Sequence, residues 1–226
     1  MTKLGSSVSR LALVLLTAAS LTALAADLSK YRNFQFGADL PTVAKLIGAS
    51  PSQAKLIHSR PALVQELEWR PQSLGPSLRA ESAEGVIFSF YNGTLFRIAV
   101  KYDRYATEGL TTEDFVDAIS AAYGPPAKLS PSVEPVKESY GEEAVARWED
   151  SQYRFDLLRV SHGPSYRLIG TLKSLEAPIQ AANVEAKRLD DLEAPQRDAA
   201  RAAAEQDAKA ASLEKARLVN KPKFRP

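Results

Sequence analysis

Apolar and polar positions alternate most regularly between Gly85 and Tyr102. Two runs rich in β-branched and aromatic residues flank Asn92-Gly93 there, and that arrangement marks a hairpin. Val86, Phe88 and Phe90 form the inner set of the first strand. Phe96, Ile98, Val100 and Tyr102 form one face of the second, and Leu95, Arg97, Ala99 and Lys101 the other. A two-residue turn would set Phe90 opposite Leu95 and mix the faces. A three-residue loop, Tyr91-Asn92-Gly93, sets Phe90 opposite Thr94 and Phe88 opposite Phe96. The pattern therefore predicts a bulged turn with Gly93 in the left-handed conformation.

The period changes after the hairpin. Phe115, Val116, Ile119, Ala122 and Tyr123 share a helical face behind the capping sequence Thr111-Thr112-Glu113-Asp114, and Gly124-Pro125-Pro126 ends it. Three strands follow, Ala144–Glu149, Tyr153–Val160 and Ser165–Leu172, with a turn at His162-Gly163-Pro164 between the last two. Upstream, Leu40–Ile47 reads as a short helix with Pro41 in its first turn and Gly48 past its end. Leu63–Trp69 reads as a strand with Leu63, Leu67 and Trp69 inward.

The two halves thus run alike: helix, glycine stop, loop, Trp-bearing strand, hairpin. They are candidate tandem α-β-β-β repeats, 37–105 and 111–173, with coincidence as the open alternative. The fold class expected is α+β, a mostly antiparallel sheet with helices on one face and a helical tail behind it. The globular domain covers 26–175 and the tail 176–226. In the tail, Ile179, Ala182, Ala186, Leu189 and Leu192 recur at helical spacing, Pro195 interrupts, and a second helix runs from about Gln196 to Leu218. The last twelve residues hold Lys215, Arg217, Lys221, Lys223 and Arg225 and no acid, a composition suited to weak contact with an anionic surface.

Gly37-Ala38-Asp39-Leu40-Pro41-Thr42-Val43-Ala44-Lys45-Leu46-Ile47-Gly48 resembles the G-x(5)-V-x(4)-G opening of small exported α+β domains. Examples are the SmpA/OmlA outer-membrane assembly lipoproteins and the β-lactamase-inhibitor-protein-like fold. In that family the helix ends at Gly and a Trp-bearing strand follows, as Trp69 does here. The resemblance implies a non-enzymatic protein-binding module and no particular partner.

Composition changes the picture at the N-terminus. Lys3 and Arg10, the apolar run Leu11–Leu24 and Ala23-Leu24-Ala25 make the three parts of a cleavable signal peptide over 1–25, with cleavage between Ala25 and Ala26. The chain has no cysteine, so lipid attachment at a cysteine, disulfides and thiolate metal sites are excluded. The expectation is a secreted or periplasmic protein that is not integral to the membrane after cleavage. The net charge of +2 falls to zero once Lys3 and Arg10 are removed, which disfavours a specific nucleic-acid partner.

Chemistry is sparsely signalled. His58 and His162, both read as loop residues, lack metal-ligand spacing. No nucleophile elbow, phosphate loop or dinucleotide fingerprint occurs, so no catalytic residue, metal or cofactor is assigned. Glu142, Glu143, Glu149 and Asp150 read as a solvated strand edge rather than paired catalytic acids. Asn92-Gly93-Thr94 fits a glycosylation sequon but is explained by the turn. Tyr91, Arg97, Lys101 and Tyr105 are the candidate binding residues, an exposed set of aromatic and basic side chains of the kind enriched at interfaces. The expected function is a non-catalytic binding or assembly protein of the bacterial envelope or exterior, with another protein as partner. The alternative is a small exported hydrolase acting on wall polymers or glycans.

Overall fold

A computed structural model describes residues 27–71, 82–128, 141–160 and 165–225. The export segment with Ala25 and Ala26, Tyr140 and the His162 turn lie outside the described residues. Two short strands, β1 (Lys30–Tyr31) and β2 (Phe34–Gln35), form a small hairpin with Arg32 at φ 54° in its turn. Helix α1 (Leu40–Leu46) starts where the Asp39 carboxylate accepts the Thr42 N–H at 2.9 Å, which satisfies one of the amides a helix start leaves open. Past its end, Gly48 has φ 69°, a conformation glycine adopts without steric cost.

Strands β3 (Lys55–His58), β4 (Val64–Trp69), β5 (Ala83–Tyr91), β6 (Thr94–Tyr102), β7 (Glu142–Glu149), β8 (Tyr153–Val160) and β9 (Tyr166–Leu172) make one antiparallel sheet in the order β3-β4-β5-β6-β9-β8-β7. Helix α2 (Thr112–Tyr123) enters through a capping box between Thr111 and Asp114. The succession α1-β4-β5-β6 in the first half matches α2-β7-β8-β9 in the second, and their last strands, β6 and β9, pair at the centre. β3 is an additional edge strand. It ends on His58, which the sequence pattern had put in a loop.

The inner face of the sheet carries the main core. Val86, Phe88, Phe90, Leu95, Ile98, Phe155, Leu157 and Leu168 are buried against α1, α2 and the β1–β2 hairpin. Ring contacts lace it together: Phe34 with Phe88 at 4.5 Å, Tyr123 with Phe155 at 4.5 Å and Phe115 with Tyr166 at 4.1 Å between centroids. The Trp148 indole N–H donates to the Gly124 carbonyl at 2.9 Å and so ties β7 to the end of α2.

The hairpin differs from its expected register. Its loop is the two-residue Asn92-Gly93, both at positive φ, with Tyr91 opposite Thr94 and Phe90 opposite Leu95. The extra residue sits inside β6: the register shifts between Ser89 and Phe90, so Phe96 is bulged, and Phe88 faces Ile98. The bulge reverses the alternation, which puts Leu95 inward while keeping Ile98 and Val100 inward. Gly93 is left-handed as expected, with φ 81°. Asn92 also holds the tip to β4, since its carboxamide oxygen accepts the Leu63 N–H at 3.0 Å and its own N–H donates to the Leu63 carbonyl at 2.7 Å. Leu63 therefore precedes β4 and remains partly exposed. Leu67 is buried inward and Val64 is buried on the opposite face.

Part of that opposite face, from Arg154 to the start of β4, lies under α3 (Glu176–Asn220). Ile179, Ala182 and Ala186 are its buried residues, at the spacing of one helical stripe. Glu176 pairs with Arg154 on β8, and Glu193 pairs with Arg60 just before β4. Seventeen residues of helix rise about 25 Å, somewhat more than the roughly 19 Å of the four strand spacings from β8 to β4, so the helix reaches across these strands. Pro195 lies within this single helix instead of dividing two. Proline removes one amide donor and crowds the preceding turn, at a cost of about 3 kcal/mol, and the Ala-, Glu- and Arg-rich flanks are strong helix formers that carry the helix through. Every described residue from Pro195 onward is exposed. Deleting 195–226 is accordingly expected to leave the melting temperature of the globular body within about 2 °C of the full chain by calorimetry, because the deleted surface buries no core.

Candidate functional site

The outer face of the sheet is organised by register. Each of the seven strands contributes one polar residue to a single cross-strand row: Lys55, Glu66, Ser89, Arg97, Thr171, Arg154 and Glu149. Between the central part of this row and α3 lies a cleft of about 850 Å³. Ile57, His58, Val64 and Phe96 line it on the sheet side, with Gln180 and Asn183 on the helix side. Its walls mix apolar surface with charge, as small-ligand and peptide sites do.

The charges are held by a network beneath the helix. Asp156, on β8, is buried and accepts from two guanidinium groups, Arg147 Nε at 2.6 Å and Arg154 Nε at 2.9 Å. Arg154 also clasps the Glu176 carboxylate with both terminal nitrogens, a fork geometry that fixes orientation as well as charge. Arg167 donates to Glu142 Oε1 at 2.7 Å. The second oxygen of Glu142 is buried and has no hydrogen-bond partner among the described residues. Glu66 is approached by the Ser89 hydroxyl at 3.4 Å.

The four residues expected to bind are placed differently from one another. Arg97 lies inside the cleft. Lys101 is on the same face, paired with Glu84 at 2.8 Å in a separate depression of about 430 Å³ that also reaches Arg167. Tyr91 is on this face at the hairpin end and is partly buried. Tyr105 is 74% exposed in the turn beyond β6, at the far end of that strand, with the Arg104 guanidinium 5.0 Å from its ring centroid. The fold thus brings Arg97 near Arg154, Arg167 and His58, and leaves Tyr105 apart. The sequence alone did not single out Arg154 or Arg167. Only the β6–β9 pairing sets them beside Arg97.

The acids that drew attention in the sequence have individual partners. Glu143 accepts from Arg159 at 2.9 Å and Glu149 from Lys173 at 3.1 Å. Asp150 caps a turn by accepting the Gln152 and Tyr153 amides at 2.7 Å each. Glu142 and Arg147 are not on a solvated edge: both side chains are largely buried. Among the described residues no group of three or more acids and histidines is placed to hold a metal ion, and no helix is long and apolar enough to cross a membrane.

A further cavity, about 380 Å³, opens on the inner side between α2 and the sheet. Phe115, Ile119 and Leu168 form its apolar wall, and Arg32 and Asp114 stand in its lining. Burial raises the Tyr102 and Tyr123 phenols well above their usual range, so both rings stay neutral. The Tyr123 hydroxyl donates to the Lys30 carbonyl at 3.1 Å.

The fold and this cleft define an α+β protein with a helix-roofed antiparallel sheet. No protein-family model matches the chain, and no curated protein or solved structure is significantly similar to it.

Proposed function

We propose that the chain is an exported, non-catalytic binding or assembly protein of the bacterial envelope, with the outer-face cleft as its recognition surface. The observation that carries this reading is the state of the cleft's charges. Its carboxylates are engaged, Glu176 by Arg154 and Glu66 by Ser89. The strands that bear Glu66 and Arg154 are four spacings apart in the sheet, about 19 Å between backbones. Two acids working together on a glycosidic bond need carboxyl groups within roughly 5–9.5 Å. The Arg154–Glu176 ion pair supplies orientation and recognition, not proton transfer. The Trp-bearing strand behind Gly48 and the resemblance to exported binding domains support the same reading.

The test uses residues 27–226 immobilised against envelope extract. A protein partner is expected to be retained, and Arg97→Glu is expected to lower that retention at least tenfold, a change of about 1.4 kcal/mol, with circular dichroism unchanged. Purified wall polymer is expected to stay intact. Cleavage of the polymer with no retained partner would overturn the reading and favour a hydrolase.

A further inference from the structure

We infer that the distal end of α3 is a docking site for an anionic lipid surface, and that the helix holds the globular body away from that surface. Charge is sharply divided along the chain. Residues 27–214 carry 22 Lys and Arg against 27 Asp and Glu, a net of −5, and residues 215–226 carry five cations and no acid. The cations are Lys215, Arg217, Lys221, Lys223 and Arg225, all exposed. Cations near a helix C-terminus complement its dipole, but that effect fades within the last turn. It accounts for Arg217 and for Lys221 at the C-cap, and not for Lys223 and Arg225, which lie beyond it.

Apolar side chains are set among these cations. Leu218, Val219 and Phe224 are exposed, Phe224 at 76%. Arg217, Asn220 and Phe224 border one shallow notch at the tip. A soluble polyanion offers the cations partners but gives an exposed phenylalanine nothing to enter. A bilayer interface satisfies both, because its headgroups take the charge and its acyl boundary takes the ring. Lipid is therefore the occupant that the side-chain set fits.

The helix is long enough to act as a spacer. From Ala194, the last α3 residue that is not fully exposed, to Asn220 the helix rises about 39 Å. The screening length at physiological salt is about 8 Å. The body, residues 27–194, has 19 Lys and Arg against 23 Asp and Glu, a net of −4, and would be repelled if pressed against an anionic leaflet. Several screening lengths away it is not, while the tip still gains from each cation.

The inference extends the envelope reading, which supplies the place where such a leaflet is met. Vesicle binding itself does not depend on the cleft. Residues 27–226 are sedimented with vesicles of phosphatidylcholine alone and with 30% phosphatidylglycerol at 0.15 M and 0.5 M salt. Binding to the anionic vesicles is expected to exceed binding to the neutral ones at least tenfold and to weaken in high salt. Each surface cation is worth roughly fivefold, so K221E/K223E/R225E is expected to cut binding on the order of a hundredfold. F224S is expected to reduce it severalfold, and R97E to leave it unchanged. Helicity by circular dichroism checks that the variants are folded. Equal binding to both vesicle types would overturn the inference. So would an F224S variant that binds the vesicles as well as the parent while both hold a soluble polyanion equally tightly, a result that would point to a wall polymer. Loss of vesicle binding with the Arg97-dependent partner intact removes this inference alone.

Discussion

Gly170→Ala is expected to destabilise the protein by about 3 kcal/mol, near the upper end of the usual range for overpacking a core. Gly170 sits in the centre of β9, between Ile98 on β6 and Phe155 on β8. A methyl group there would stand 2.5 Å from Phe155 Cε1, 2.9 Å from its Cζ and 2.8 Å from Phe36 Cζ. These are ring atoms of buried side chains, and Phe155 is already stacked on Tyr123, so neither ring can turn aside without displacing a neighbour. The measurement is urea unfolding, with the midpoint falling at constant slope. A double-mutant cycle with Phe155→Leu separates the clash from general loss of packing. The two changes are expected to couple by at least about 1 kcal/mol, with the double variant more stable than additivity predicts.

Asp156→Ala is expected to cost about 3–5 kcal/mol, the penalty for leaving a buried charge without its partner. Asp156 is the joint of the network under α3, bonded to Arg147 through one oxygen and to Arg154 through the other. Its loss leaves the buried Arg147 guanidinium uncompensated and frees Arg154 from the sheet. Asp156→Asn keeps the shape and one acceptor but removes the charge, and is expected to fall between Ala and the parent. Replacing the pair together, as Arg147→Met with Asp156→Leu, is expected to recover most of the loss, because two apolar side chains need no counter-charge. Thermal melts of the four proteins at one pH check the series. Recovery in the paired variant distinguishes an electrostatic joint from a site that simply tolerates no change.

The sequence pattern was most informative where one face of a strand is dry and the other wet. Phe155 and Leu157 on β8, and Phe115 and Ile119 on α2, followed their periodicity into the core. It was least informative where both faces are covered. Val64 and Leu158 are buried on the outer side, against the alternation that marks their neighbours, because Val64 lies beside α3 and Leu158 packs with Ala99, Ile169 and Ala144. Nothing local to those strands announces a helix that begins after β9. The hairpin register failed for a related reason. A bulge at Phe96 and a two-residue Asn92-Gly93 turn together keep Ile98 and Val100 inward and exchange only Phe96 for Leu95, so the alternation alone is compatible with more than one placement of the extra residue. β1, β2 and β3 are too short to carry a period. Of the site, Arg97 was legible as an outward basic residue beside aromatics. The cleft was not, since the polar row exists only once seven strands are in register.

The central pairing of β6 with β9 also governs how the fold is reached. Within each half, every neighbouring pair among β4, β5 and β6, and among β7, β8 and β9, is consecutive in the chain. Such pairs close loops at modest entropic cost. The β6–β9 pair instead joins Arg97 to Thr171 and Lys101 to Arg167, and all of α2, β7 and β8 must be accommodated before it forms. Long-range closure of this kind is the slow step in mixed folds. Side chains at the seam, Ile98 and Val100 against Gly170 and Leu168, therefore have leverage over the folding rate, while those at the outer strands β3 and β7 act mainly on the rate of coming apart.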